Sequence, residues 1–141
     1  TPETYLDDQR AQGFAAPLRA GTHSYPGVAR PALNEFALRG TWNVGSQSST
    51  PQSSGSAIQV RFQAAKVYLV LTSAGNIPRR VQVMLDGKPI SQTSAGADVH
   101  VSFLTVHGQR LYNLVSRPGA EQHDLEVRVP PGVRAYSFTF G

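Results

Sequence analysis

The chain has 141 residues, enough for one domain with a core of its own. With no cysteine, disulfide and thiolate-metal chemistry are excluded within it, and no apolar run approaches the ~20 residues of a membrane-spanning helix. The net charge of +4 comes mostly from scattered arginines, of which only Arg79 and Arg80 adjoin. A solvated basic surface, rather than the basic stripe of a nucleic-acid binder, is therefore expected.

Only 16% of residues are charged, against about a quarter in an average domain. Together with 13 Gly and 10 Pro this points to an all-β domain with many short connections. Residues 1–32 lack a clean period. Pro17, Pro26 and Pro31 forbid a long helix there. Tyr5, Leu6, Phe14, Leu18 and Tyr25 are too apolar for a free linker, so an irregular arm lying against the rest is expected. The sandwich itself is assigned to 33–141.

Phe36 to Asn43 reads as the first strand. The polar stretch Gly45 to Ser56 reads as a loop or weak edge strand, because its composition buries little. Ala57 to Ala64 alternates, with Ile58, Val60 and Phe62 inward. Val67 to Leu71 is a continuous apolar run, expected as a central strand covered on both sides. Val81 to Leu85 leads into Asp86-Gly87, a strong two-residue hairpin signal because both turn residues need positive φ. Ile90 starts the return. Val99, Val101 and Phe103 predict a further strand, and His107-Gly108 turns into Leu111 to Val115.

The end of the chain is the clearest part. Leu125, Val127 and Val129 share one parity, and Asp124, Glu126 and Arg128 the other. Pro130-Pro131-Gly132 turns the chain. Tyr136, Phe138 and Phe140 then alternate with small residues and are expected in the core together. About nine short strands at this spacing predict a jelly-roll-like double-sheet β-sandwich.

Catalytic signals are few. The four histidines form no HxH or HExxH pattern, so no metal site is expected. No nucleophile elbow, phosphate loop or dinucleotide fingerprint occurs, and no cofactor is implied. Asp98 and Glu126 are a conceivable carboxylate pair, but glycoside hydrolysis needs both in one cleft. No catalytic residue is assigned. A sugar site combines an aromatic plane with amide, carboxylate or guanidinium partners. Trp42 and Tyr112 are the candidate planes, and Asn43, Asp98, Arg110 and Asn113 the candidate polar partners. Parity with Phe36 and Leu38, however, favours Trp42 in the core.

Thr-Pro-Glu-Thr-Tyr-Leu at positions 1–6, Leu38-Arg-Gly-Thr-Trp42, Val81-Gln-Val-Met-Leu-Asp-Gly-Lys-Pro89, Arg110-Leu-Tyr-Asn-Leu-Val115 and the terminal Phe-Thr-Phe-Gly141 resemble, in this order, the module that follows the thioredoxin-like domain in DipZ-type proteins. Asp7 stands where that family is expected to carry Gly. The resemblance implies a carbohydrate-binding-module-like sandwich that is not itself an enzyme. It implies a periplasmic setting beside an upstream thioredoxin-like domain of the same chain, in a membrane protein with a CcdA-like segment. As the chain opens without Met, it is expected to be a fragment. Two functions are compatible with it. One is a module that binds carbohydrate. The other is a docking module for the thioredoxin-like domain or its substrate, with no sugar bound.

Overall fold

The computed structural model describes residues 1–141. It is all-β, and its one helical element is a 3-10 turn at Ala74–Asn76. Nine strands are longer than three residues: β2 (Gly21–Pro26), β3 (Phe36–Val44), β5 (Ala57–Gln63), β6 (Lys66–Ser73), β7 (Arg79–Leu85), β9 (Phe103–Val106), β10 (Arg110–Ser116), β11 (Gln122–Arg128) and β12 (Val133–Phe140). Three short ones, β1 (Thr4–Tyr5), β4 (Ser49–Pro51) and β8 (Lys88–Pro89), complete the pairing. No helix is long and apolar enough to cross a membrane.

The strands run in the order β10-β6-β12-β4-β3-β5-β11-β7-β8, all paired antiparallel, with β1 on β12, β2 on β3 and β9 on β7. The sheet curls over on itself into a jelly-roll-like sandwich. β3 makes one corner. Its first half, Phe36–Arg39, pairs with β5, and its second half, Trp42–Val44, pairs with β4. The changeover falls at Gly40, whose φ of 98° suits glycine alone. Across the interior, Phe36 of β3 meets Phe138 of β12 at 5.6 Å, and Phe62 of β5 meets Phe140 at 6.0 Å. Neither β3 nor β5 pairs with β12, so these contacts are packing between the two layers.

Ile58, Val60 and Phe62 face inward as expected, as do Leu125, Val127 and Val129. Asp86 and Gly87 form the two-residue turn between β7 and β8, with φ of 53° and 80°. The apolar run of β6 differs from expectation. It alternates, with Val67, Leu69 and Leu71 buried and Tyr68 and Val70 half-exposed on the other face. The Pro130-Pro131-Gly132 turn carries the chain from β11 to β12, which do not pair, and so links different parts of the sheet.

The segment expected as an irregular arm contributes two strands, β1 and β2. Leu6, Leu18 and Tyr25 are buried in the common core, with Phe14 packed against it. The strand expected at Val99–Phe103 is instead a tight turn. Val101 and Ser102 adopt φ of 49° and 64°, while His100 and Phe103 exchange both backbone hydrogen bonds across them. Val101 is consequently 84% exposed, and β9 begins only at Phe103. Tyr136 also departs from the expected parity. A bulge between Ala135 and Ser137 inserts it as an extra residue opposite β6. Ala135 and Phe138 point into the core, while Tyr136 is only partly buried.

Candidate functional site

Trp42 is fully buried in β3, and its indole Nε1–H donates to the carbonyl oxygen of Arg39 at 2.9 Å. It therefore offers no plane to a ligand, which corrects its candidacy as a sugar platform. The shared parity with Phe36 and Leu38 prevails. Asn43, the next residue, is exposed on the outer face between Thr22 and Thr50.

The other four candidates are drawn together at the edge strand β10. Arg110 Nη2 donates to Asp98 Oδ1 at 2.6 Å, and the backbone N–H of Asn113 donates to Asp98 Oδ2 at 2.7 Å. Asn113 Oδ1 accepts from the N–H of Ala97 at 2.9 Å, while its Nδ2 donates to the carbonyls of Val115 and Val67. Tyr112 is buried, with the Arg110 guanidinium 4.0 Å above its ring. Its hydroxyl donates to Gly108 O and accepts from His107 N, closing the 107–108 turn. These groups saturate one another. Their effect is to fasten the segment around Gly96–Asp98 along β10 and so cover an edge that otherwise presents unpaired backbone groups. Gly96 lies so close to the Asn113 backbone that a side chain there has no room. Burial pushes the Asp98 carboxyl upward, but the bonds from Arg110 and Asn113 outweigh it and leave Asp98 below its ordinary range.

A different constellation lies on the outer face of β11. A cleft of about 390 Å³ opens between Arg30 and Pro31 of the N-terminal segment, Gln59 of β5, Met84 and Asp86 at the end of β7, and Asp124, Glu126 and Arg128 of β11. Strand alternation puts the three β11 side chains on this face while Leu125 and Val127 enter the core. Glu126 accepts from Arg39 at 2.9 Å and from Arg128 Nε at 2.6 Å. Asp124 pairs with Arg61 at 3.0 Å and, more loosely, with Arg30 at 3.9 Å. Its Oδ1 is buried without a partner. Asp86 meets His123 Nδ1 at 2.6 Å and accepts the N–H of Asp124 at 2.9 Å. Gln59 binds both backbone groups of Val28, like one rung of a sheet, and holds the N-terminal segment as the cleft wall.

Burial raises the Glu126 and Asp86 carboxyls, and the surrounding hydrogen bonds and cations more than reverse this. Both are therefore ionised at neutral pH. Neither has the raised value that a protonated general acid needs for glycoside hydrolysis. Asp98 and Glu126 do not share a cleft, since Asp98 is fastened at β10. No group of three or more His, Asp or Glu side chains is placed to hold a metal ion. The outward parity of Asp124, Glu126 and Arg128 is visible in the sequence. Arg39, the partner of Glu126, stands 87 residues from it, and nothing local signals that pairing.

Comparison with known proteins places the fold. The DipZ proteins of Mycobacterium bovis and Mycobacterium tuberculosis are each 30% identical to it over 143 residues, covering 100% of this chain and 18% of theirs. The chain thus spans less than a fifth of the length of these relatives. A family two carbohydrate esterase from Clostridium thermocellum, solved in complex with cellohexaose, shares the fold with a TM-score of 0.58 at 18% identity, over 75% of this chain and 31% of that one. A second esterase of that family, from Cellvibrio japonicus, aligns with a TM-score of 0.57 at 13% identity, over 85% of this chain and 33% of that one. A family model described as the thioredoxin-like C-terminal domain matches residues 1–141, and the chain belongs to that family.

Proposed function

We propose that this chain is a non-catalytic carbohydrate-binding module of an extracytoplasmic, DipZ-type redox protein, and that it receives saccharide in the cleft across β11. The observation that carries this is the lining of the cleft. Carboxylates of Asp86, Asp124 and Glu126 and the guanidiniums of Arg30 and Arg128 converge on one space, walled by Gln59. Acceptors and donors at this density suit hydroxyl groups, each of which both donates and accepts. The volume lies in the range of small-molecule sites, about 300–1,000 Å³. Arg30 and Arg128 reach the cleft with largely exposed side chains, and ion pairs made from such positions are worth only about 0–1 kcal/mol, so exchanging part of their pairing for bonds to sugar hydroxyls costs little. The fold likeness to an esterase solved with cellohexaose is consistent with this. Asp98, Arg110, Tyr112 and Asn113 act in this proposal as the fastening of β10 rather than as ligand contacts.

Calorimetric titration with cellohexaose and with trigalacturonic acid tests it. Binding that weakens about tenfold in Arg128→Ala at unchanged melting temperature, and likewise in Glu126→Gln with the fold retained, supports the proposal. Absence of saccharide binding at millimolar concentration, together with saturable binding of the thioredoxin-like domain of the same protein, overturns it in favour of the docking function.

A further inference from the structure

The bulge that expels Tyr136 from the core builds a second cavity, and we propose that this cavity is a separate binding site for a neutral saccharide. The proposal rests on the carbohydrate-binding function for its ligand class and on its own geometry for its location. The cavity, about 440 Å³, is lined by Tyr5, Gln9, Arg10, Gln47, Gln109 and Tyr136, with two serines, and shares no residue with the cleft across β11.

Four separate segments meet there: the turn after β1, the tip of the polar loop before β4, the turn before β10 and the bulge of β12. The bulge is the decisive element. Ala135 pairs with Leu71 and Ser137 with Val70, so Tyr136 has no partner on β6. Its carbonyl oxygen accepts from the N–H of Leu6 at 2.8 Å, which fixes the bulge against β1. A bulge re-aims a side chain, and here it takes an aromatic ring from the core parity to the surface.

The wall opposite is equally fixed. Asp7, fully buried, accepts the backbone N–H groups of Gln9 and Arg10 at 2.9 and 2.6 Å and pairs with the Arg10 guanidinium at 2.8 Å. Arg10 in turn lies 3.8 Å over the Tyr5 ring. The one cation of the cavity is thus neutralised by a carboxylate beneath it, and no carboxylate lines the space. What remains is the Tyr136 phenol, amide and serine hydroxyl, since the Tyr5 hydroxyl donates to Glu3 at 2.8 Å and its ring lies under Arg10. Gln59, Gln63, Gln82 and Gln92 commit their amides to internal hydrogen bonds. Gln47 and Gln109 are exposed and line the cavity. The Tyr136 ring beside two exposed glutamines, with no carboxylate lining the space, matches the apolar face and hydroxyl rim of an uncharged pyranose. An acidic sugar or a phosphate finds no free cation there.

Titration of the ¹⁵N-labelled chain with cellohexaose, followed by amide chemical shifts, tests the site. The expected result is saturable shifts at Gln47, Gln109 and Ser137. They weaken about tenfold in Tyr136→Ala and in the exposed-loop variant Gln47→Ala, and they persist in Arg128→Ala. Trigalacturonic acid should leave these amides unmoved. Shifts confined to the β11 cleft with either sugar overturn the second site and leave the module function standing. Absence of shifts anywhere with both sugars overturns both.

Discussion

Trp42 donates its indole Nε1–H to the carbonyl oxygen of Arg39, three residues earlier on the same strand, at 2.9 Å. The bond spans the corner at Gly40 and satisfies a backbone acceptor where β3 passes from one neighbour to the next. Trp42→Ala removes a fully buried ring and leaves that acceptor without its partner. The expected cost is about 3–5 kcal/mol, read as a lowered urea midpoint. Trp42→Phe should recover part of this, because most of the volume returns without the N–H. A variant Trp42→Ala with unchanged stability contradicts the assignment of this ring to the core.

Gly40→Ala is expected to be nearly as damaging despite adding one methyl group. At a φ of 98° a β-carbon is strained in itself, and it would also stand 3.0 Å from the Ser56 Cα. Relief requires β3 and the segment before β5 to separate. Strain of this kind costs on the order of 1–3 kcal/mol. Differential scanning calorimetry should show a clearly lowered melting temperature, whereas Gly55→Ala, in open space but also at positive φ, reports the backbone strain alone.

Three paired carboxylates predict the acid limb of stability. Burial raises Asp86, Asp98 and Glu126, yet their hydrogen bonds and cations leave each below its ordinary value. The folded chain therefore releases these protons more readily than the unfolded chain. The stabilisation is complete above the unfolded carboxylate values, about 4, and is lost as pH falls through the lower folded values. The urea midpoint should be flat near neutrality and decline below about pH 4. Asp98→Asn should lower the neutral plateau and make the decline shallower. An unchanged acid slope in that variant contradicts the role of the Asp98–Arg110 pair.

The sequence makes β5, β11 and the Asp86-Gly87 turn plain because each carries its signal in adjacent residues. The places where it misleads share one cause, which is backbone geometry without a marking residue. The turn at Val101-Ser102 needs two positive φ angles but has neither Gly nor Asn, so its alternation reads as strand. β2 buries only Tyr25 and pairs through its backbone with β3, and a backbone ladder leaves no side-chain period to detect. Among the candidate residues, Asp98, Arg110 and Asn113 stand near enough in sequence to be grouped. Arg39, Arg61 and the β11 acids are brought together only by strand order.

The same cause predicts unequal effects within the last strand. Tyr136, Phe138 and Phe140 share a parity in sequence, but the bulge after Ala135 separates the first from the others. Phe138 is fully buried and packs on Phe36 and Phe140, at 5.6 and 5.9 Å. Phe138→Ala should cost about 3–5 kcal/mol, a large part of a total stability of about 5–15. Tyr136→Ala should cost clearly less, on the order of 1 kcal/mol, since Tyr136 is only partly buried and its backbone bond to Leu6 survives the substitution. Urea unfolding of the two variants side by side decides it. Comparable losses would mean that Tyr136 packs as the unbroken alternation implies, and the cavity beside Tyr5 would then lose its wall.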